Sequence, residues 1–197
     1  MPKKCLGCGR EGQYICKDCA IFLSEVNMFE AEPRTSKTAS LWEYEGLMER
    51  LILKIKYDGC YDIIQELIDK VFEKIELDLP AETYITYVPM YRKKEKRRGF
   101  NQAELIAKKV GERTGRPVVR LLEKIKDNRS HVGLNPQERI ENVKSVFAFK
   151  KESACPENIL VVDDFLVSGA TIRECFRVLK QAGAKNIVGF TLAKGGG

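Results

Sequence analysis

The sequence predicts an α/β protein: a parallel sheet flanked by helices, preceded by a small four-cysteine module. Three observations predict it. Asn158-Ile159-Leu160-Val161-Val162 is a continuous apolar run, as expected of a parallel strand buried on both faces. Strand-like and helical periodicities alternate through residues 83–192. Two Cys-x-x-Cys pairs stand at the front of the chain, Cys5/Cys8 and Cys16/Cys19.

The cysteine module comes first. Two residues between thiols let one tight turn direct both sulfurs at one metal, and a second such turn completes a four-sulfur shell that suits structural zinc. Gly7 and Gly9 fit the backbone wrapping such a turn needs. Two disulfides are the alternative, disfavoured in a reducing compartment. The start, Met-Pro-Lys-Lys-Cys, has no apolar segment behind it, so the expectation is no signal peptide and a cytoplasmic protein. Cys60, Cys155 and Cys175 are isolated and are expected to be small buried apolar groups.

Residues 27–40 show little periodicity and read as a linker, with a boundary near Pro33 dividing residues 1–33 from a main domain of residues 34–197. Two helices follow, from the stripes Leu47, Met48, Leu51, Ile52, Ile55 and Ile63, Ile64, Leu67, Ile68, Val71. The turn Tyr57-Asp58-Gly59-Cys60 separates them. Residues 83–88, rich in β-branched and aromatic types, predict a strand ended by Pro89. A helix over residues 101–113 stops near Gly115, and residues 117–122 read as a short strand. Residues 124–144 read mostly as a long loop with one helical turn, and residues 146–149 as a strand. After the apolar run comes a helix over residues 170–182 with Gly183 as its cap, then a closing strand over residues 187–192.

Charge is concentrated. The chain has 197 residues, 34 Lys+Arg and 28 Asp+Glu, a net of +6. The loop formed by Arg92, Lys93, Lys94, Glu95, Lys96, Arg97 and Arg98 carries nearly all of that excess. A solvated charge run is the plain alternative, and a site for phosphates or nucleic acid the sharper reading. Tyr91 and Phe100 flank the run and either stack on bases or anchor the loop. A composition of 44% hydrophobic residues excludes wholesale disorder, and no apolar run approaches the ~20 residues of a spanning helix.

The most informative stretch is residues 161–171. Asp163 and Asp164 stand where the buried strand is expected to end, and Ser168, Gly169 and Thr171 open the next helix. Ligands of α/β sheets bind at the carboxyl ends of strands, and a helix start suits a phosphate. The two acids can accept from a vicinal diol or hold a hydrated metal, so the pair and the loop suit a sugar phosphate. A capped strand-to-helix turn is the alternative. No Walker sequence and no Gly-x-Gly-x-x-Gly is present, which disfavours nucleoside triphosphatases and dinucleotide folds.

Residues 161–171 resemble the phosphoribosyl pyrophosphate (PRPP) motif of type I phosphoribosyltransferases. The wider chain resembles the ComF family of competence-associated proteins, through the four-cysteine finger, Val88-Pro89 with the basic run and Arg98-Gly99-Phe100-Asn101-Gln102-Ala103, and Gly133-Leu134 with Glu138-Arg139 and Asn142-Val143. The resemblance implies that residues 34–197 form a phosphoribosyltransferase-like domain. It implies that Asp163 and Asp164 hold the ribose hydroxyls, while Leu166, Val167, Ser168, Gly169, Ala170 and Thr171 cradle the 5′-phosphate. It implies a pyrophosphate loop through Tyr91 and Arg92, with Mg²⁺ on the diphosphate. Arg139 and Arg98 are its candidates for stabilising charge in a transfer reaction, and zinc belongs to Cys5, Cys8, Cys16 and Cys19. Family members often carry Gln where this chain has His131, and many phosphoribosyltransferases carry Thr where it has Val167.

The function so implied is a competence protein acting in DNA uptake and natural transformation, binding PRPP and single-stranded DNA and meeting proteins of the uptake machinery. Lys93, Lys94, Lys96, Arg97 and Arg98 are the nucleic-acid candidates. The alternative is an active phosphoribosyltransferase, a pentosyl transferase of nucleotide metabolism or salvage.

Overall fold

A computed structural model describes residues 2–26, 29–31, 37–127, 136–150 and 154–195. Pro33, His131, Gly133 and Leu134, singled out above, lie outside them, as does the side chain of Arg139.

Four parallel strands form the sheet: β2 (Lys37–Glu43), β7 (Asn186–Lys194), β6 (Asn158–Leu166) and β3 (Thr83–Tyr87), in that spatial order. A short β1 (Phe29–Ala31) adds antiparallel to β2 at the edge, so strand pairing reaches across the boundary expected near Pro33. The expected α/β architecture, a parallel sheet flanked by helices, is therefore the observed one.

Each face of the sheet buries its own layer. Leu160 and Val162 of β6 point with Phe190 and Leu192 toward α2 (Gly46–Asp58), α3 (Asp62–Lys74) and α5 (Gln102–Thr114). Ile159, Val161 and Ile187 point the other way, toward α7 (Ala170–Gln181). On α7, Ile172, Cys175, Phe176, Val178 and Leu179 are buried, each large apolar side chain contributing about 1.5–3 kcal/mol.

Several segments differ from the sequence reading. Residues 37–40, read as the end of the linker, instead open strand β2. Its Thr38 and Ser40 look polar in sequence, yet Ser40 Oγ lies 2.6 Å from Thr191 Oγ1 across the sheet. The basic run is not a loop but a helix, α4 (Arg92–Arg98), closed by Gly99 at φ 84°. Glu95 meets Arg120 at 3.9 Å and Lys94 meets Asp127 at 2.8 Å, which offsets part of the repulsion within the helix. Within residues 117–122 Val118 makes an isolated bridge to Ile85, and Leu122 already belongs to the next strand. The next strands, β4 (Leu122–Lys124) and β5 (Phe147–Phe149), form a separate antiparallel ribbon, and α6 (Pro136–Val143) lies between them in sequence. The cap of α7 is Ala182, one residue before Gly183. Of the three isolated cysteines only Cys175 is fully buried; Cys60 and Cys155 are half-buried.

The cysteine module includes the short helix α1 (Lys17–Ala20) and docks on α3. The Glu66 carboxylate accepts from Tyr14 N–H at 2.9 Å and Ile15 N–H at 3.1 Å. Ile15 is buried in the same apolar layer as Leu67.

Candidate functional site

Strand β6 leads into α7 on one face of the sheet, while the chain leaves β3 toward α5 on the other. Connections that part to opposite faces open a crevice at the carboxyl ends of neighbouring strands. A cavity of about 260 Å³ lies there. Its walls are Val88, Pro89 and Met90 after β3, Asn101 and Gln102 opening α5, Lys124 of β4, and residues 163–172. Asn101 fixes one wall twice, donating to the Val88 carbonyl at 3.0 Å and accepting from Ala103 N–H at 3.0 Å as the cap of α5.

Strand β6 runs on through Leu166, so Asp163 and Asp164 stand inside it rather than beyond its end. Successive residues of a strand face opposite sides. Asp164 follows Val162 toward α2 and α5, where Lys56 Nζ lies 2.6 Å from its Oδ2 and Gln102 Nε2 donates at 3.2 Å. Arg98 in turn donates to Gln102 Oε1 at 2.9 Å. Asp163 faces the α7 side, level with buried Thr191. Burial, followed by the charge of Asp164, raises the Asp163 carboxyl well above the ordinary aspartate range; the Asp164 N–H and Lys56 only partly oppose this. Burial, then Lys94, lowers the ammonium of Lys124, while Asp127 and Asp163 act to hold its proton.

Residues 167–169 turn the chain into α7. Gly169 caps the helix at φ 67°, in the left-handed region, and no side chain caps it. Ser168 Oγ accepts from Ala170 N–H at 3.4 Å, and Arg173 donates to the Ser168 carbonyl at 2.6 Å. The first turn of α7 thus offers N–H groups without helical acceptors and the positive end of the helix dipole.

A second cavity, about 790 Å³, adjoins the first through their common wall residues Met90 and Lys124. Arg92, Lys96, Arg120, Lys124 and Lys150 line it, against Glu95 and Glu123.

The structure therefore brings Asp163, Asp164, Leu166, Val167, Ser168, Gly169, Ala170 and Thr171 around one cavity. Arg92 and Lys96 line the neighbouring one, and Arg98 reaches the first only through Gln102. Lys93 and Arg97 are exposed on α4 and line neither. Tyr91 caps α4 half-buried, and Phe100 packs half-buried on the core. Sequence reasoning missed Lys56, Gln102 as a ligand of Asp164, Lys124, Arg120 and Arg173. Only Gln102 carried a local signal, its place in the Arg-Gly-Phe-Asn-Gln block.

The four sulfurs of Cys5, Cys8, Cys16 and Cys19 lie within 4.8 Å of one another. Gly9 takes φ 78°, while Gly7 is needed for room: a Cβ there would lie 2.6 Å from Cys19 Sγ. Burial raises the Cys5 thiol, but N–H groups of Cys16, Cys8 and Gly7 aimed at it bring it down to about 6. Hydrogen bonding with Cys16, then burial, pushes Cys19 up to about 12. One thiolate is favoured and a further one resisted, a conflict that a bound cation resolves. Four thiols with no open position fit a structural metal.

These features define an α/β protein with a four-cysteine cluster of metal-binding spacing and a crevice at the carboxyl ends of parallel strands. No family model matches the chain, but curated proteins do. It is 26% identical to competence protein F of Haemophilus influenzae over 96% of this chain and 84% of that protein. Competence protein ComFC of Bacillus subtilis is 26% identical over 96% of this chain and 77% of its own length. ComFC of Streptococcus pneumoniae is 28% identical over 91% and 74%. These three relatives, each matched over most of this chain, support the resemblance to the ComF family. A solved structure, TT1426 from Thermus thermophilus, overlays 66% of this chain and 70% of its own at TM-score 0.34 and 14% identity, too loose a match to build on. Among the described residues no helix is long and apolar enough to cross a membrane.

Proposed function

We propose that the chain is a competence protein of DNA uptake that binds PRPP in the crevice and single-stranded DNA along α4. The names of its relatives support the role in competence. One observation carries the ligand: two carboxylates and an uncapped helix start share one cavity, with a cation-lined cavity beside it.

In this reading Asp163 and Asp164 accept from the ribose hydroxyls, and the N–H groups and hydroxyls of residues 166–171 take the 5′-phosphate. The diphosphate lies toward Met90 and Arg92, where the second cavity supplies cations. Mg²⁺ entering with PRPP would neutralise diphosphate oxygens. Zinc is the metal held by Cys5, Cys8, Cys16 and Cys19, in a closed and structural site. Arg139 and Arg98 are the residues to vary if transfer occurs. PRPP-dependent pyrophosphate release in the presence of a base or nucleotide would identify an active phosphoribosyltransferase.

The test is a thermal-shift titration. PRPP with Mg²⁺ raises Tm, and Asp163→Asn combined with Asp164→Asn abolishes the increment. An undiminished increment in that variant would sink the assignment.

A further inference from the structure

We propose that Tyr57 and Tyr61, flanking the turn between α2 and α3, form a base-stacking platform for single-stranded nucleic acid beside α4. The proposal rests on the nucleic-acid half of the reading above and names the groups that hold the bases.

The segment Tyr57-Asp58-Gly59-Cys60-Tyr61 places two large aromatic rings at the surface. Tyr57 is 74% exposed and Tyr61 48%. Both adjoin the basic helix. The Arg98 guanidinium lies over the Tyr57 ring, 5.8 Å from its centroid. Phe100, just past α4, meets the Tyr61 ring edge-on at 4.6 Å and 75°. Phe100 is packed against the core, so Tyr61 rests on a fixed support. Gly59 takes φ 66°, and a Cβ there would come within 3.3 Å of the Tyr61 hydroxyl, so the ring lies close over the turn.

The charges around the rings favour a polyanion. Bases of this chain neutralise the acid of the turn and the one that follows it: Lys54 pairs with Asp58 at 2.7 Å, and Lys3 with Asp62, the first residue of α3, at 3.0 Å. Arg97 and Arg98 supply positive charge alongside. Every base has a π-face, so such a surface grips a strand without reading its sequence, and Arg adds a cation–π contribution. A duplex keeps its bases stacked inside, so the platform discriminates against it. The platform also has a link to the crevice. Arg98 bonds Gln102, which bonds Asp164, and Lys56, the neighbour of Tyr57, pairs with the same carboxylate.

The experiment measures anisotropy of a labelled oligothymidylate, and of an abasic strand of equal length, with the full metal-loaded protein. Wild type is expected to prefer the base-bearing strand. Tyr57→Ala with Tyr61→Ala should weaken oligothymidylate binding about five- to a hundredfold per ring lost, leaving the abasic strand and the salt slope unchanged. Tyr57→Phe with Tyr61→Phe keeps the rings and should restore binding, which separates stacking from a folding defect. Unaltered oligothymidylate affinity in the alanine variant would overturn the platform and leave the broader reading intact. Failure of wild type to bind any single strand at low salt would overturn the nucleic-acid reading, and the platform with it.

Discussion

Lys56 Nζ lies 2.6 Å from Asp164 Oδ2, and neither side chain is more than 13% exposed. The same ammonium sits 3.9 Å from the centroid of the Phe165 ring, which stacks on Tyr44 at 4.4 Å. The two acids at the crevice therefore differ. Asp164 already has a cation and an amide donor, whereas among the described residues no ion pair reaches Asp163.

Removing Lys56 isolates a buried carboxylate. Loss of one partner from such a pair costs about 3–5 kcal/mol, because the remaining charge is left unpaired. Lys56→Met is expected to destabilise by that order, read as a denaturant midpoint from the single, fully buried Trp42. Adding Asp164→Asn should recover much of the loss. A Lys56→Met cost below about 1 kcal/mol would show that water reaches Asp164 and replaces the lysine.

Asp163 opposes folding when ionised. Its carboxyl is raised in the folded chain by burial and then by Asp164. A raised folded pKa means that its favourable contribution is complete below the unfolded aspartate range and is lost as pH climbs toward the folded value. Asp163→Asn should therefore raise the Tm of the ligand-free protein at neutral pH while removing the PRPP increment. The Tm difference from wild type should be constant in acid and widen as pH rises above about 4. A difference independent of pH would mean that Asp163 ionises as freely in the folded chain as in the unfolded one.

How far the sequence shows the molecule depends on whether a feature is local. Strands β3, β6 and β7 and helix α5 were legible because apolar period, Asn101 and Gly115 act within a few residues. The cysteine cluster was legible for the same reason: its geometry follows from ligand spacing. Strand β2 was not, because what places it is pairing with β7 about 150 positions away: Thr38 sits opposite Gly189, and Ser40 Oγ meets Thr191 Oγ1. Lys56 on an amphipathic helix looks like a solvent-facing lysine, and only tertiary packing carries it to Asp164. The opposite facing of the two acids was available in principle. Apolar residues on both sides of the pair, Val161, Val162, Phe165 and Leu166, continue the strand, and period two then separates the carboxylates.

Glu66 is one of the ties between the cysteine module and the main domain, beside the Lys3–Asp62 pair and the burial of Ile15. Glu66 accepts from the N–H groups of Tyr14 and Ile15, and its side chain is 19% exposed. Glu66→Ala should cost about 1–3 kcal/mol, since two N–H groups lose a charged acceptor. Metal content per chain should equal that of wild type, measured by atomic absorption, because the sulfur shell is untouched. Loss of metal in this variant would show instead that docking shapes the shell.

Diphosphate and DNA compete as explanations of the basic helix, and its faces separate them. Arg92 and Lys96 line the cation-rich cavity next to the crevice, together with Arg120, whereas Lys93 and Arg97 line neither cavity. Lys93→Ala with Arg97→Ala should leave the PRPP-induced Tm increment intact. The same variant should reduce the log–log salt slope of single-strand binding by about 1.4, two contacts at roughly 0.7 each. Arg92→Ala with Arg120→Ala should do the reverse. Each lost charge-assisted bond to the diphosphate contributes about 1.5–3 kcal/mol, so PRPP must rise at least tenfold to give the same increment, while the salt slope changes little. If Lys93→Ala with Arg97→Ala erased the PRPP increment, the diphosphate would have to lie along the outer face of α4, and the division of labour between the helix faces would be wrong.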